Sequence, residues 1–467
     1  MKKQALNVAG LAAGDAGGRF VGFLVTVYLA RVLAPSAFGV ISIGLAILGQ
    51  LANVASPGVQ VVESRNVAAA ISGMGRRVGT VLGMRLVLSL ILCALTCAVA
   101  MLWPAPATPY IAALLFVASL VPMALILDWY FQGKEEGVVV GGARLLQSVV
   151  YGALAYLLVR SSLDMFWVPV AFFFGCTAMA GALLAAYIRT NGVPPIRWDP
   201  AGWMAVFRGN APVGLAAVVG QLIINYPPLA VGWFLSTADA GFWAAAMKLV
   251  FLALLIDRVL NLAFLPVITR MIRRKNDDGA VVFAMTLRVV VGGLLPAVFL
   301  GVVLAPVAVV WIFGPAYSEA VLVLQILMGY VALTLVNSVF SCALIGGGFE
   351  REYGRAVIAG VVVVVAAVTV LTPFAGMMGA AIGVGIGEGA TLGLMVRAVL
   401  RHLQLPVRIA PGRMVIAALA MSLTPLVLNW LHPGFQSLVG VAVYIVALLL
   451  LRELEPGSMS DFRRRLA

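Results

Sequence analysis

Residues 356–396 read AVIAGVVVVVAAVTVLTPFAGMMGAAIGVGIGEGATLGLMV, flanked by Arg355 and Arg397, with Glu388 as the single ionisable side chain. A helix needs about 20 apolar residues to cross the hydrocarbon core of a bilayer. The run therefore holds two crossings, 356–373 and 377–396, though its Gly and Val runs also admit another division. Working outward, the same texture fills the chain: 63% of the 467 residues are hydrophobic and 10% are charged. Soluble domains run at about 45–50% apolar and about 25% charged. Lipid must be the solvent, and the apolar runs are too long for the alternating strands of about 10 residues in an outer-membrane barrel. The expected fold is an all-α polytopic membrane protein.

Cutting at charges and at Gly/Pro turns predicts about fourteen spans. Their limits are 11–33, 38–60, 80–102, 109–131, 138–159, 166–188, 211–235, 241–265, 286–310, 319–345, 356–373, 377–396, 414–430 and 435–451. Basic residues test the division, because cytoplasmic loops collect Lys and Arg. Most of the 31 fall on one side, from Lys2 and Lys3 through Arg65, Arg76, Arg77 and Arg85 to Arg463, Arg464 and Arg465. Only Arg31 and Arg160 fall in loops on the other. Both termini are thus expected in the cytoplasm. The net charge of +13 then reports topology rather than a nucleic-acid partner. Lys2 and Lys3 look like the start of a signal peptide, but the segment carrying Asp15 and Arg19 runs on as a full span, so the N-terminus is expected to be retained.

The four cysteines lie in apolar stretches, His402 and His432 are isolated, and no metal-ligand spacing, nucleophile constellation or nucleotide loop is present. No cofactor or metal is expected. A membrane-embedded glycosyltransferase or polymerase would show acidic or His/Arg clusters in sizeable outer loops, and these loops are tiny. The longest connection, 189–210, carries Trp198 and Trp203 and reads as an interfacial linker. The expected organisation is a six-helix bundle at 1–190, a linker at 191–210, a second bundle at 211–400, and two further helices with a basic tail at 401–467. A weak internal repeat supports it. LARVLAPSAFGVISI (29–43) and VGWFLSTADAGFWAA (231–245) each place a leucine, Leu33 or Leu235, six residues before a glycine, Gly39 or Gly241. FQGKEE (131–136) is echoed by GGGFERE (346–352). Paired six-helix repeats are a transporter architecture.

LARVLAPSAFGV (29–40), VESRNVA (62–68), WYFQGKE (129–135) and FGPAYSEAVLVLQIL (313–327) together resemble the polysaccharide-transporter branch of the multidrug/oligosaccharidyl-lipid/polysaccharide exporter superfamily. Ala34 stands where glycine is common in that branch. The resemblance implies two bundles around a central cavity in a bacterial cytoplasmic membrane. It also implies flipping of undecaprenyl-diphosphate-linked oligosaccharide for O-antigen, capsule or exopolysaccharide. Expected partners are that lipid-linked substrate, membrane lipids, polysaccharide polymerase or export proteins, and H⁺ or Na⁺ as coupling ion. A multidrug or cation antiporter of the same superfamily is the closest rival.

An uncompensated anion in hydrocarbon is costly, so intramembrane cations are the candidate phosphate ligands. They are Arg19, Lys248, Arg144 and Arg258, against the plainer readings of a snorkelling pair (Asp15–Arg19, i,i+4), interfacial anchors (Asp257, Arg258) or a topological charge (Arg144). Gln221 and Asn225, beside Tyr226, Pro227 and Pro228, are candidates for sugar hydroxyls on a bent helix or, equally, part of a static kink. Glu388, Asp15 and Asp257 are the candidate coupling carboxylates, with a neutral, hydrogen-bonded Glu388 as the alternative. Gly379, Gly383 and Gly387 suit close helix packing.

Overall fold

The computed structural model describes residues 2–69, 73–102, 107–196, 198–257, 269–270, 278–403, 417, 420–421, 423–428 and 433–450. Among them are no strands, and nine helices are long and apolar enough to cross a membrane. Leu90, Leu95 and Val99 of one such helix point outward, exposed, as lipid-facing side chains must. Two compact units divide the chain, Met1–Ala244 and Ala245–Ala467.

The first unit comprises α1 (Lys2–Val32), α2 (Pro35–Ala55), α3 (Val59–Ala68), α4 (Met74–Leu102), α5 (Ala107–Val117), α6 (Leu120–Ala124), α7 (Asp128–Gly133), α8 (Gly137–Leu158), α9 (Trp167–Asn191), α10 (Pro200–Phe234) and the start of α11 (Thr237–Ala253). α1 lies along α8 so closely that a Cβ on Gly14 would fall 2.3 Å from the Gly141 Cα. Such backbone contact is how small residues join helices in lipid.

The structure departs from the expected spans where apolarity alone cannot see a break. The span predicted at 38–60 ends at Ala55, and Gly58 adopts φ +62° before α3 begins. The span predicted at 109–131 is broken into α5, α6 and α7. A broken helix in hydrocarbon frees carbonyls that need donors. Arg85 supplies them: its guanidinium donates to the Met123 and Ile126 carbonyls at 2.7 Å each. Expected among the loop charges, Arg85 is instead buried within α4. α10 begins at Pro200, capped by the Asp199 side chain, which accepts from the Gly202 N–H at 2.9 Å. Trp203 is therefore helical, packed where a Cβ on Gly83 would stand.

Both sequence echoes are geometric. α1 and α10 end alike, with Leu33 N–H donating to the Leu29 carbonyl and Leu235 N–H to that of Val231. The next helices begin alike, Phe38 to Ala34 and Ala240 to Ser236. The two turns pack on each other reciprocally. A Cβ on Gly39 would meet the Thr237 carbonyl and Gly241 nitrogen, and one on Gly241 would meet the Pro35 carbonyl and Gly39 nitrogen. In the second echo, Glu136 N–H returns to the Phe131 carbonyl and Phe349 N–H to that of Leu344, each at 2.8 Å. Both are helix C-caps closed through a left-handed residue, Glu135 at φ +57° in one and Gly348 at φ +83° in the other.

The second unit holds the rest of α11, then α12 (Asp278–Phe313), α13 (Ala320–Gly346), α14 (Glu350–His402), the short α15 (Thr424–Val427) and α16 (Pro433–Leu450). α14 is two arms: Ala375 and Gly376 leave helical geometry, Gly376 at φ +62°, within the stretch where two crossings were expected to turn. The arms pack on glycine, as expected of Gly379, Gly383 and Gly387. A Cβ on Gly383 would come 2.8 Å from the Val368 nitrogen, and one on Gly387 2.9 Å from that of Val364. α16 packs against α12 through Phe299, Tyr444 and Leu448, with the Tyr444 hydroxyl donating to the Gly292 carbonyl at 3.0 Å. Residues 414–416, 418–419, 422 and 429–430 of the predicted span 414–430, and 258–265 of the span 241–265, lie outside the described residues.

Candidate transport site

In the first unit the charges of α1 meet those of α7 and α8. Arg19 Nε donates to Asp15 across one helical turn at 3.0 Å. Arg144 donates to Asp15 at 2.9 Å and, less closely, to Asp128 at 3.4 Å. The predicted residues Arg19, Asp15 and Arg144 thus share one constellation, joined by Asp128, which sequence reading had not singled out. Arg144 is committed to two carboxylates, whereas Arg19 keeps 57% of its side chain exposed.

Sequence reading missed a second buried cluster. Glu63 of α3, 0% exposed, accepts two hydrogen bonds from the Arg77 guanidinium at 2.6 and 2.9 Å, and one each from Asn66 and Asn210 at 3.2 Å. Burial works to raise the Glu63 carboxyl pKa, but the Arg77 hydrogen bond, that from Asn66, the Arg77 charge and the Asn210 bond together hold it below the ordinary carboxylate range. The stability this group contributes is therefore present above the unfolded carboxylate pKa. It is lost only as pH falls through the lowered value. The available signal was an acidic residue inside the apolar beginning of VQVVESRNVA.

Uncharged amides line up where α10 faces α2. Asn225 Nδ2 lies 3.4 Å from Gln50 Oε1, Gln50 donates to the Val218 carbonyl at 3.0 Å, and a Cβ on Gly49 would touch Asn225. Gln221, half-buried, sits one turn before Asn225. The structure adds Gln50, on another helix, to this predicted pair.

In the second unit the predicted carboxylates converge on neighbouring residues of α13. Asn337 Nδ2 donates to Glu388 Oε1 at 2.8 Å and to the Glu388 carbonyl at 3.2 Å, and the Ser338 hydroxyl donates to Asp257. Glu388 is 8% exposed and meets no cationic side chain among the described residues. Asn337 and Ser338 went unnoticed as a polar pair in the span 319–345, the kind of interruption that marks function in a membrane helix. Lys248, half-buried on α11, makes no hydrogen bond or ion pair among the described residues. Arg258 lies outside the described residues. No group of three His, Cys, Asp or Glu able to hold a metal ion occurs among the described residues.

The family described as "Polysaccharide biosynthesis protein" matches residues 5–272, more than half the chain. Among curated proteins, no sequence matches significantly. Solved structures share the fold. Lipid II flippase MurJ in an inward closed conformation superposes with a TM-score of 0.75 at 12% identity, covering 95% of this chain and 99% of that one. An inward-facing multidrug resistance MATE family transporter of the MOP superfamily gives 0.65 at 16%, covering 83% and 95%. A MOP superfamily transporter from Pyrococcus furiosus, described as having a binding pocket of reverse polarity, gives 0.54 at 15%, covering 86% and 96%.

Proposed function

Since the chain belongs to the family of polysaccharide biosynthesis proteins, we propose that it flips an undecaprenyl-diphosphate-linked oligosaccharide repeat unit across a bacterial cytoplasmic membrane, both termini facing the cytoplasm. The observation that carries this reading is Lys248. A cation within a membrane helix is costly unless something neutralises it, and no protein carboxylate does so among the described residues. A lipid diphosphate would complete the pair. Within the first unit, Arg19, still largely exposed beyond its bond to Asp15, is a separate candidate phosphate ligand. Gln50, Gln221 and Asn225 are neutral donors and acceptors suited to sugar hydroxyls. Arg144 holds Asp15 and Asp128 in place and positions Arg19 through Asp15.

Two bundles, 1–190 and 211–400, rock to expose the site alternately to the two faces. Asp257 and Glu388, held by a neutral hydroxyl and amide, bind the driving H⁺ or Na⁺. These carboxylates also favour a second reading, export of an organic cation. Vesicles containing the purified protein separate the two: it should speed movement of the lipid-linked oligosaccharide between leaflets. Transport of organic cations without movement of that lipid would overturn the flippase reading.

A further inference from the structure

We propose that Asn210 of α10 is the moving half of a latch whose fixed half is the Glu63–Arg77 pair, and that its release opens the basic, cytoplasmic side of the molecule. The inference rests on the alternating-access reading, in which α10 leads the second bundle although it packs here within the first unit.

The fixed half is self-contained. Glu63 and Arg77 belong to the consecutive helices α3 and α4, and their two-pronged bond leaves Glu63 compensated whether or not Asn210 is present. Losing Asn210 therefore removes one hydrogen bond and strands no buried charge; stranding one would make release prohibitive. The moving half is incompletely bonded. Asn210 is 0% exposed and gives its amide N–H to Glu63 at 3.2 Å, but its Oδ1 is buried without a partner. Permanent core amides generally satisfy both ends; this one retains a reason to leave.

The surroundings suit separation. Gly58, at φ +62°, lets the chain approach so that a Cβ there would lie 2.6 Å from the Asn210 carbonyl, and Gly214 packs directly on Pro57. At these two glycines backbone meets backbone, with the Pro57 and Val213 side chains alongside; the interlocked side chains of α10, Val206 and Trp203, lie one to two turns earlier. Pro212, two residues beyond Asn210, denies the Arg208 carbonyl its helical partner and marks a bending point.

Val206, one turn before Asn210 and 6% exposed, serves as reporter. In a background lacking the four native cysteines, Val206→Cys should react slowly with a water-soluble maleimide. Asn210→Asp places a second carboxylate against Glu63 and should speed labelling by about tenfold or more, the scale of a hydrogen bond to a charged group. Asn210→Leu, which lacks the donor but keeps the bulk, should speed it less. Equal rates in all three proteins would overturn the latch. So would a collapsed size-exclusion profile in both variants, because Asn210 would then be a fixed strut. Labelling that responds to Asn210 in a protein that moves no lipid-linked oligosaccharide would remove the flippase reading and leave the latch standing.

Discussion

Asp15, Arg19, Arg144 and Asp128 of the first unit sit in hydrogen-bonded ion pairs of 2.9 to 3.4 Å. In the second unit, Lys248 has no partner among the described residues, and Glu388 is held by the amide of Asn337. The same residue types thus serve opposite ends. Charges neutralised within the protein fix helices against one another and leave little for a ligand to gain; of these four only Arg19 keeps most of its side chain exposed. Charges met only by neutral dipoles keep an electrostatic debt that a mobile ion or phosphate can settle.

The largest effect expected is on transport. Lys248→Gln should lower the flipping rate about 100-fold, the scale of a strong charge-assisted contact, with the melting temperature unchanged. A melting temperature that falls with the rate would put Lys248 in the structural class and break the contrast. Arg144→Ala should do the reverse, leaving Asp15 and Asp128 without their shared cation. Because Arg144 keeps 31% of its side chain exposed, the loss should be about 2 kcal/mol, below the range for fully buried pairs. Thermal unfolding in detergent measures it; an unchanged stability would show that the first cluster is as available as the second.

How much of this contrast could be read from the chain depends on reach. Asp15 and Arg19 lie one turn apart and announce themselves as a pair, but Arg144 joins them from a distant helix. Glu63 and Asn210 are likewise separated in the chain, and nothing local in FRGNAPVG marks that asparagine. Helix positions were legible because hydropathy acts locally. The break at Ala118–Leu127 was hidden because its donor, Arg85, comes from α4. The crossings at 356–373 and 377–396 were readable because the run is twice the length of one span; the structure puts their break at Ala375 and Gly376.

Glu388→Gln sharpens the contrast on the acidic side. It should keep the Asn337 contact while removing the titrating charge, lowering transport about tenfold and abolishing its dependence on an imposed H⁺ or Na⁺ gradient. Persistence of that dependence would exclude Glu388 from coupling. The smallest effect concerns the matched caps. Glu135 holds a left-handed conformation where Gly348 does so freely, so Glu135→Gly should raise stability by about 0.5 kcal/mol. A loss instead would mean that the carboxylate itself secures that turn.

The reciprocal seating of Gly39 and Gly241 has a consequence for how the two repeats can diverge. A methyl group at either glycine would run into the backbone of the opposite turn, so neither position tolerates a side chain. A saturating mutational scan should find the same residues forbidden at both sites, even though the segments around them share few letters. Ancestral symmetry would survive there as a paired intolerance after most of it has faded from the alphabet of the chain.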